Sequence, residues 1–381
     1  MVYLDYNAST PVDQRVLPTL TGVYRVFGNP ASIQHRPGQA AAELVEEARS
    51  RVASLLARPA QDVILTSGAT EAAAIGLIGG MLGASGRPNV VVSRTEHKAI
   101  LAAAELGARL GGGEVRWVEV DGRGVVDLEL LEDVIDDSVS VVAVMAANNE
   151  TGVVAPLVQV CDIAQRSGSL TFVDVTQLAG KGPMSDAMRS ADIAVCSSHK
   201  IYGPKGAGAL VASRSVQKDI VPIQPGGGQE RGIRGGTQNT PAIVGFGLAA
   251  ELAEKEGASD AARIGQLADQ LLATLRSELV DVEVNGEGAE RLSNTLNLRF
   301  AKADADAVMA SMPDIYLSSG SACQSASPTP SHVLLAMGKT GAEAQESLRI
   351  SLGRPTTSDE IRVATATIIE AVSRVRNMTA E

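Results

Sequence analysis

Apolar positions along this chain change their spacing more than once, and each change predicts a different kind of element. Residues 1–15 read as extended and turn-rich. Between about 40 and 57, Leu44, Val45, Ala48, Val52, Leu55 and Leu56 recur at the three- and four-residue intervals of one helix face. From there to about 213 the pattern breaks into short apolar runs: Val63–Ser67, Val90–Ser93, Val115–Val120, Val139–Ala146, Leu170–Val175, Ile193–Ser197 and Ala209–Ala212. These predict seven buried strands, and most of the gaps leave room for a crossover helix. The expected fold class is therefore α/β, a mainly parallel seven-stranded sheet with helices on both faces. Ligands of such a sheet bind outside the carboxyl ends of its strands.

After about 240 a long helix is marked by Leu267, Leu271, Leu272 and Leu275. An Asn285-Gly286 turn then separates the alternating Val282 and Val284 from Leu296, Leu298 and Phe300, which predicts a small antiparallel sheet. A last helix begins at Thr357, whose capping box with Glu360 precedes Ile361, Ala364, Ile368, Val372 and Val375. We expect a large domain over residues 16–245 and a smaller α+β domain made of residues 1–15 and 246–381.

Composition narrows the function. Of the 381 residues 45% are hydrophobic but only 3% aromatic, so packing rests on Val, Leu, Ile and Ala, and long disorder is excluded. A net charge of −11 disfavours direct nucleic-acid binding wherever it is not locally reversed. Cys161, Cys196 and Cys323 form neither a Cys-x-x-Cys pair nor a zinc-finger spacing, so no metal site and a reducing, cytoplasmic setting are expected. The start of the chain shows no basic leader and apolar core, and no apolar run approaches eighteen residues, so neither export nor membrane insertion is expected.

Two constellations carry chemistry. Val63-Ile-Leu-Thr-Ser-Gly-Ala-Thr-Glu71 reads as strand, glycine turn and helix start, where free backbone N–H groups and the helix dipole can hold a single phosphate, with the Thr70 hydroxyl beside them. It is neither G-x-G-x-x-G nor a Walker loop. Alone, the segment reads more simply as an ordinary capped helix. Further on, Asp174 and Lys200 each follow an apolar strand. A carboxylate there can pair with a protonated pyridine nitrogen, and a lysine at the next strand end can bond to an aldehyde. Pyridoxal phosphate needs both groups to act as an electron sink. Without the phosphate cradle, a structural ion pair would be the simpler reading.

The order Thr66-Ser-Gly-Ala-Thr-Glu71, Arg94-Thr-Glu-His97-Lys98, Asn148-Asn149-Glu-Thr-Gly152, Ser197-Ser-His-Lys200-Ile-Tyr-Gly-Pro-Lys-Gly206, Gly226-Gly-Gly-Gln-Glu-Arg231-Gly-Ile-Arg234 and Ser318-Ser-Gly-Ser-Ala-Cys323 resembles the cysteine desulfurases among the class V, fold-type I pyridoxal-phosphate enzymes. The likeness runs from Leu4-Asp5-Tyr-Asn-Ala to Ser351-Leu-Gly-Arg354, and the Cys323 motif is similar to that of the nitrogen-fixation and iron–sulfur group. It implies Lys200 as the Schiff-base lysine, Asp174 as the pyridinium partner, Gln177 as donor to the ring hydroxyl, and His97 as a stacking residue that could shuttle protons. It further implies a phosphate site of Ala69, Thr70, Ser197 and His199, with Thr237 supplied by the second subunit of a homodimer. Asn149 and Arg349 would clamp the carboxylate of L-cysteine, and Cys323 would take its sulfur as a persulfide and pass it to an acceptor protein.

An aminotransferase or a selenocysteine lyase would share Lys200 and Asp174, and a sulfur-delivery subunit of a larger complex is a reading from another class. Two departures stand out. Ala72-Ala73-Ala74 replaces a polar continuation after Thr70-Glu71, and the sequence ends at Glu381, so the tail that housekeeping members use on their iron–sulfur scaffold is expected to be missing. Iron–sulfur assembly and DNA phosphorothioate modification both remain open as destinations of the sulfur.

Overall fold

The computed structural model describes residues 1–319 and 329–379. A short strand, β1 (Val2–Tyr3), precedes the seven strands of the large sheet: β2 (Val63–Thr66), β3 (Asn89–Ser93), β4 (Val115–Val118), β5 (Val139–Ala143), β6 (Leu170–Asp174), β7 (Ile193–Ser197) and β8 (Gly208–Ala212). Their order is β2-β8-β7-β6-β5-β3-β4, with β8 antiparallel to both neighbours and the other pairs parallel. Each of the seven apolar runs coincides with one of these strands, β3 and β8 starting one residue earlier, at Asn89 and Gly208.

Every residue of β2, β3, β5, β7 and β8 is buried, as expected where helices cover both faces. Alternate residues supply the two sides. Val63, Leu65, Ala194, Cys196, Ala209 and Val211 enter one core, while Ile64, Ile193, Val195, Leu210 and Ala212 enter the other. The first covering helix spans Arg36–Leu55, starting before residue 40 because His35 Nδ1 accepts the Gly38 N–H at 3.1 Å and Pro37 is tolerated in a first turn. It lies against the helix Thr240–Glu278 so closely that a Cβ at Gly247 would come within 2.6 Å of Ala48 Cα.

That 39-residue helix joins the two halves of the molecule. Its first part, through Ala253, belongs to a core of the large sheet, and Ile264, Leu267, Leu271 and Leu275 belong to a separate core. This second core lies on a sheet of order β12-β13-β10-β9, built from β9 (Val282–Val284), β10 (Thr295–Phe300), β12 (Ser318–Ser319) and β13 (Ser347–Ser351). The strand β11 (Ile315–Tyr316) pairs with β1, so Val2 and Leu4 are packed here. The last helix, Ser358–Thr379, is preceded by the reciprocal Thr357–Glu360 hydrogen bonds. Among the described residues no helix is long and apolar enough to cross a membrane.

Candidate active site

Gly208 sets the register of the site. In the sheet it pairs with Thr66 on one side and Ser197 on the other, so the carboxyl ends of β2 and β7 are level. A Cβ there would lie 2.5 Å from Gly68 Cα and 2.7 Å from the Cys196 carbonyl, so only glycine lets the turn after β2 fold down beside β7. The helix that follows starts at Ala69 and continues through a π turn at Ala74–Ile78. Ala72 and Ala73, two of the three alanines that replace a polar run, are fully buried. Glu71 fastens the turn by accepting the Ser67 N–H and by pairing with Arg234 at 3.1 Å.

A cleft of about 640 Å³ opens at this edge of the sheet. Ala69, Thr70, His97, Asn149, Asp174, Gln177, Ser197, His199, Lys200 and Arg349 all line it, although they come from six separate stretches of the chain. Thr237 is exposed and does not line the cleft of its own chain. Cys323 lies outside the described residues.

The carboxyl ends of β6 and β7 supply the centre. Asp174 is 8% exposed and its Oδ1 accepts the Thr176 N–H at 2.8 Å. Lys200 Nζ donates to the carbonyls of Asn7 and Ala8, the latter at 2.8 Å. His97 caps the helix Lys98–Gly111, with Nδ1 accepting the Ala99 N–H at 3.1 Å. Desolvation lowers its pKa, the Asp174 carboxylate acts in the opposite direction, and the Lys200 charge lowers it further. Burial, reinforced by Lys200, Lys205 and Lys181, brings the pKa of His199 down to about 4, so its ring is neutral at pH 7.

The substrate-facing side draws on distant residues. Asn148 Oδ1 accepts the N–H groups of Glu150 and Thr151, which fixes the loop that presents Asn149. Arg349, on β13, donates to the Asn149 carbonyl at 3.2 Å and to Asp5 at 2.6 Å, and its buried Nε has no hydrogen-bond partner among the described residues. Asn7 was given no role by its sequence context, yet it ties these parts together. Its Nδ2 donates to the Asn149 carbonyl and to Thr295 Oγ1, while its carbonyl receives Gln177 and Lys200. A polar residue beside Asp5 near the N-terminus offered no signal of this, since every partner is more than a hundred residues away.

These groups fit pyridoxal phosphate. Hydroxyls of Thr70 and Ser197 line the cleft beside the N–H groups of a helix start, a set that could hold a phosphate in a turn that a Cβ at Gly208 would disrupt. A buried carboxylate and a lysine lie at adjoining strand ends. Lys200, Lys205 and Arg349 offset Asp5, Glu71 and Asp174 in the lining, leaving it near neutral in an acidic protein, with cationic groups to meet a phosphate and a carboxylate. Cys161 and Cys196 are buried, and desolvation raises their thiol pKa values to about 11 and about 12, so neither offers a thiolate.

Comparison with known proteins gives a consistent set. The class-V aminotransferase family matches residues 2–363. A cysteine desulfurase of Frankia sp. (strain EuIK1) is 45% identical, across 99% of this chain and 93% of its own length. Among solved structures, a NifS-like protein superposes with a TM-score of 0.89 at 34% identity, covering 98% of this chain and 99% of that one. The structure of SspA in complex with cysteine gives a TM-score of 0.82 at 30% identity, covering 94% and 100%.

Proposed function

The chain belongs to the class-V aminotransferase family and, within it, to the pyridoxal-phosphate-dependent cysteine desulfurases, and we propose that its cleft strips sulfur from L-cysteine with Lys200 as base and Cys323 as sulfur acceptor. A single observation carries this reading. The lysine, the carboxylate, the phosphate cradle and the arginine fork, all remote in sequence, line one cleft at the carboxyl edge of the sheet.

Bound at this edge, the cofactor supplies a sink for the electron pair left when a bond to the substrate α-carbon breaks. Asp174 would hold its ring nitrogen, Gln177 its ring hydroxyl, and Ala69, Thr70, Ser197 and His199 its phosphate. Arg349 and Asn149 orient the substrate carboxylate, the guanidinium giving a planar fork and the unpartnered Nε a further donor. Lys200 Nζ takes the α-proton and later returns a proton to carbon. His97, largely neutral, is placed to relay protons at the mouth of the site.

Sulfur transfer needs a thiolate at the substrate sulfur. The Cys323 sulfur bonds to it, the substrate C–S bond breaks with its electron pair on the carbon side, and protonation yields alanine. Cysteine plus enzyme thiol thus gives alanine plus enzyme persulfide, with no outside oxidant or reductant. The persulfide passes to an acceptor protein, for which iron–sulfur assembly and DNA phosphorothioate modification are two destinations. A second copy of the chain would supply Thr237, whose exposure away from its own cleft supports a homodimeric site. The 45% identical desulfurase favours this reading over an aminotransferase or a selenocysteine lyase.

Cys323→Ser tests it. The variant should bind cofactor and L-cysteine yet form no alanine, and mass spectrometry should find added sulfur on the Cys323 peptide of the unmutated protein only. Alanine release at the unmutated rate would rule out the persulfide step.

A further inference from the structure

Lys181 has no part in the chemistry above, yet it reaches the site through Gln177. It lies four residues further along the turn after β6, and its Nζ donates to Gln177 Oε1 at 2.6 Å and to Asn7 Oδ1 at 3.4 Å. Gln177 Nε2 in turn donates to the Asn7 carbonyl at 3.0 Å. A carboxamide can turn over in place, exchanging its oxygen and nitrogen with almost no change of shape. Turned over here, its NH₂ would face the Lys181 ammonium and its oxygen would face the Asn7 carbonyl, opposing donor to donor and acceptor to acceptor. One orientation satisfies all three groups. In it, one Nε2 hydrogen is used on Asn7 and the second is left for the cleft that Gln177 lines.

We propose that Lys181 is a positioning residue: it clamps the Gln177 carboxamide so that an N–H, and not the carbonyl oxygen, is presented to the ring oxygen of the cofactor. This rests on the reading of Gln177 as a cofactor donor. Desolvation, with Lys200 and Arg349 adding to it, draws the Lys181 pKa down to about 7, and both the charged and the neutral amine keep an N–H for Gln177 Oε1. The side chain also lines cavities of about 30 and 370 Å³, which leave room for a longer cationic residue.

The test uses the cofactor-loaded protein and a double-mutant cycle of Lys181→Met, Gln177→Ala and both together, with Lys181→Arg as the conservative rescue. Two quantities are read: the cofactor dissociation constant, and the pH midpoint of the visible absorbance of the bound cofactor. Lys181→Met should weaken retention about tenfold, the scale of one charge-assisted hydrogen bond, and raise the midpoint. Gln177→Ala should do the same, the double variant should be no worse than Gln177→Ala, and Lys181→Arg should restore both readouts. Wild-type behaviour of Lys181→Met, or an undiminished effect of Lys181→Met in the Gln177→Ala background, overturns the clamp alone. Unchanged readouts in Gln177→Ala overturn the reading of Gln177, and the clamp with it. Should Lys181→Met fail to fold, Lys181→Leu, which likewise lacks a donor, takes its place in the same cycle.

Discussion

The wall of the cleft at the ends of β6 and β7 draws Asp174, Gln177, Ser197, His199 and Lys200 from two neighbouring strands. The other wall takes Asp5 and Asn7 from the N-terminal segment, Asn149 from a loop and Arg349 from β13 of the small sheet. Backbone pairing holds the first: Asp174 pairs with Val195, and Ser197 with Gly208, so side chains follow from sheet register. Side-chain hydrogen bonds hold the second, most of them through Asn7, which is only 1% exposed. A substitution in the strand wall should therefore remove one chemical role and leave the geometry intact. A substitution at Asn7 should disturb several roles together, because its partners Thr295 and Asn294 are buried and would each lose a hydrogen bond.

The largest effect belongs to the strand wall. Lys200→Ala should abolish the yellow colour and lower turnover by roughly 10⁴-fold or more, the scale seen when a covalent catalytic residue is lost. Borohydride reduction of the unmutated protein followed by peptide mapping should label Lys200, and a label on Lys98 or Lys205 would contradict the assignment. Asp174→Asn should retain cofactor but slow turnover about 10²-fold, since a neutral amide stabilises ring protonation far less well. Equal retention and turnover in variant and parent would take Asp174 out of the mechanism.

Asn7→Ala probes the hydrogen-bonded wall. It strips partners from Asn149, Thr295, Asn294 and Lys181, so we expect a raised KM for L-cysteine together with a loss of roughly 2 kcal/mol in stability by denaturant titration. Arg349→Lys, by contrast, keeps the charge and loses the fork, and should raise KM about tenfold with little change in stability. If Asn7→Ala changes neither KM nor stability, the contrast between the two walls disappears.

The smallest effect is a pH dependence in the cofactor-free chain. His199 titrates near 6.5 when unfolded and near 4 when folded, so from about pH 6.5 down to about 4 the unfolded chain binds more protons. Its contribution to stability is complete above that window and falls as pH is lowered through it. His199→Gln should flatten this part of a stability–pH profile measured by urea titration, and an unchanged slope would mean that His199 is not held neutral.

Most of the large-sheet strands were legible because β2, β3, β5, β7 and β8 are buried on both faces and so appear as apolar runs of their own. That Thr70, Asp174 and Lys200 line one cleft was legible for a related reason, since polar residues that end such runs must lie at a strand edge. Local chemistry was also enough for the Thr357–Glu360 box, whose partners are three residues apart. Asn7 was not legible. Its hydrogen bonds reach residues 149, 177, 181, 200, 294, 295 and 351, and nothing in its neighbours encodes those distances.

The sequence by itself therefore determined the fold class and the family. Each of these depends on short-range periodicity or on motifs contained within a few residues. Tertiary structure alone decided which way the Gln177 amide faces, how Asn7 links the two walls, and that one helix, Thr240–Glu278, passes through both cores. Those outcomes depend on contacts between elements far apart in the chain, where the free energy lies in burial and in pairing of polar groups that only meet once the two sheets have packed.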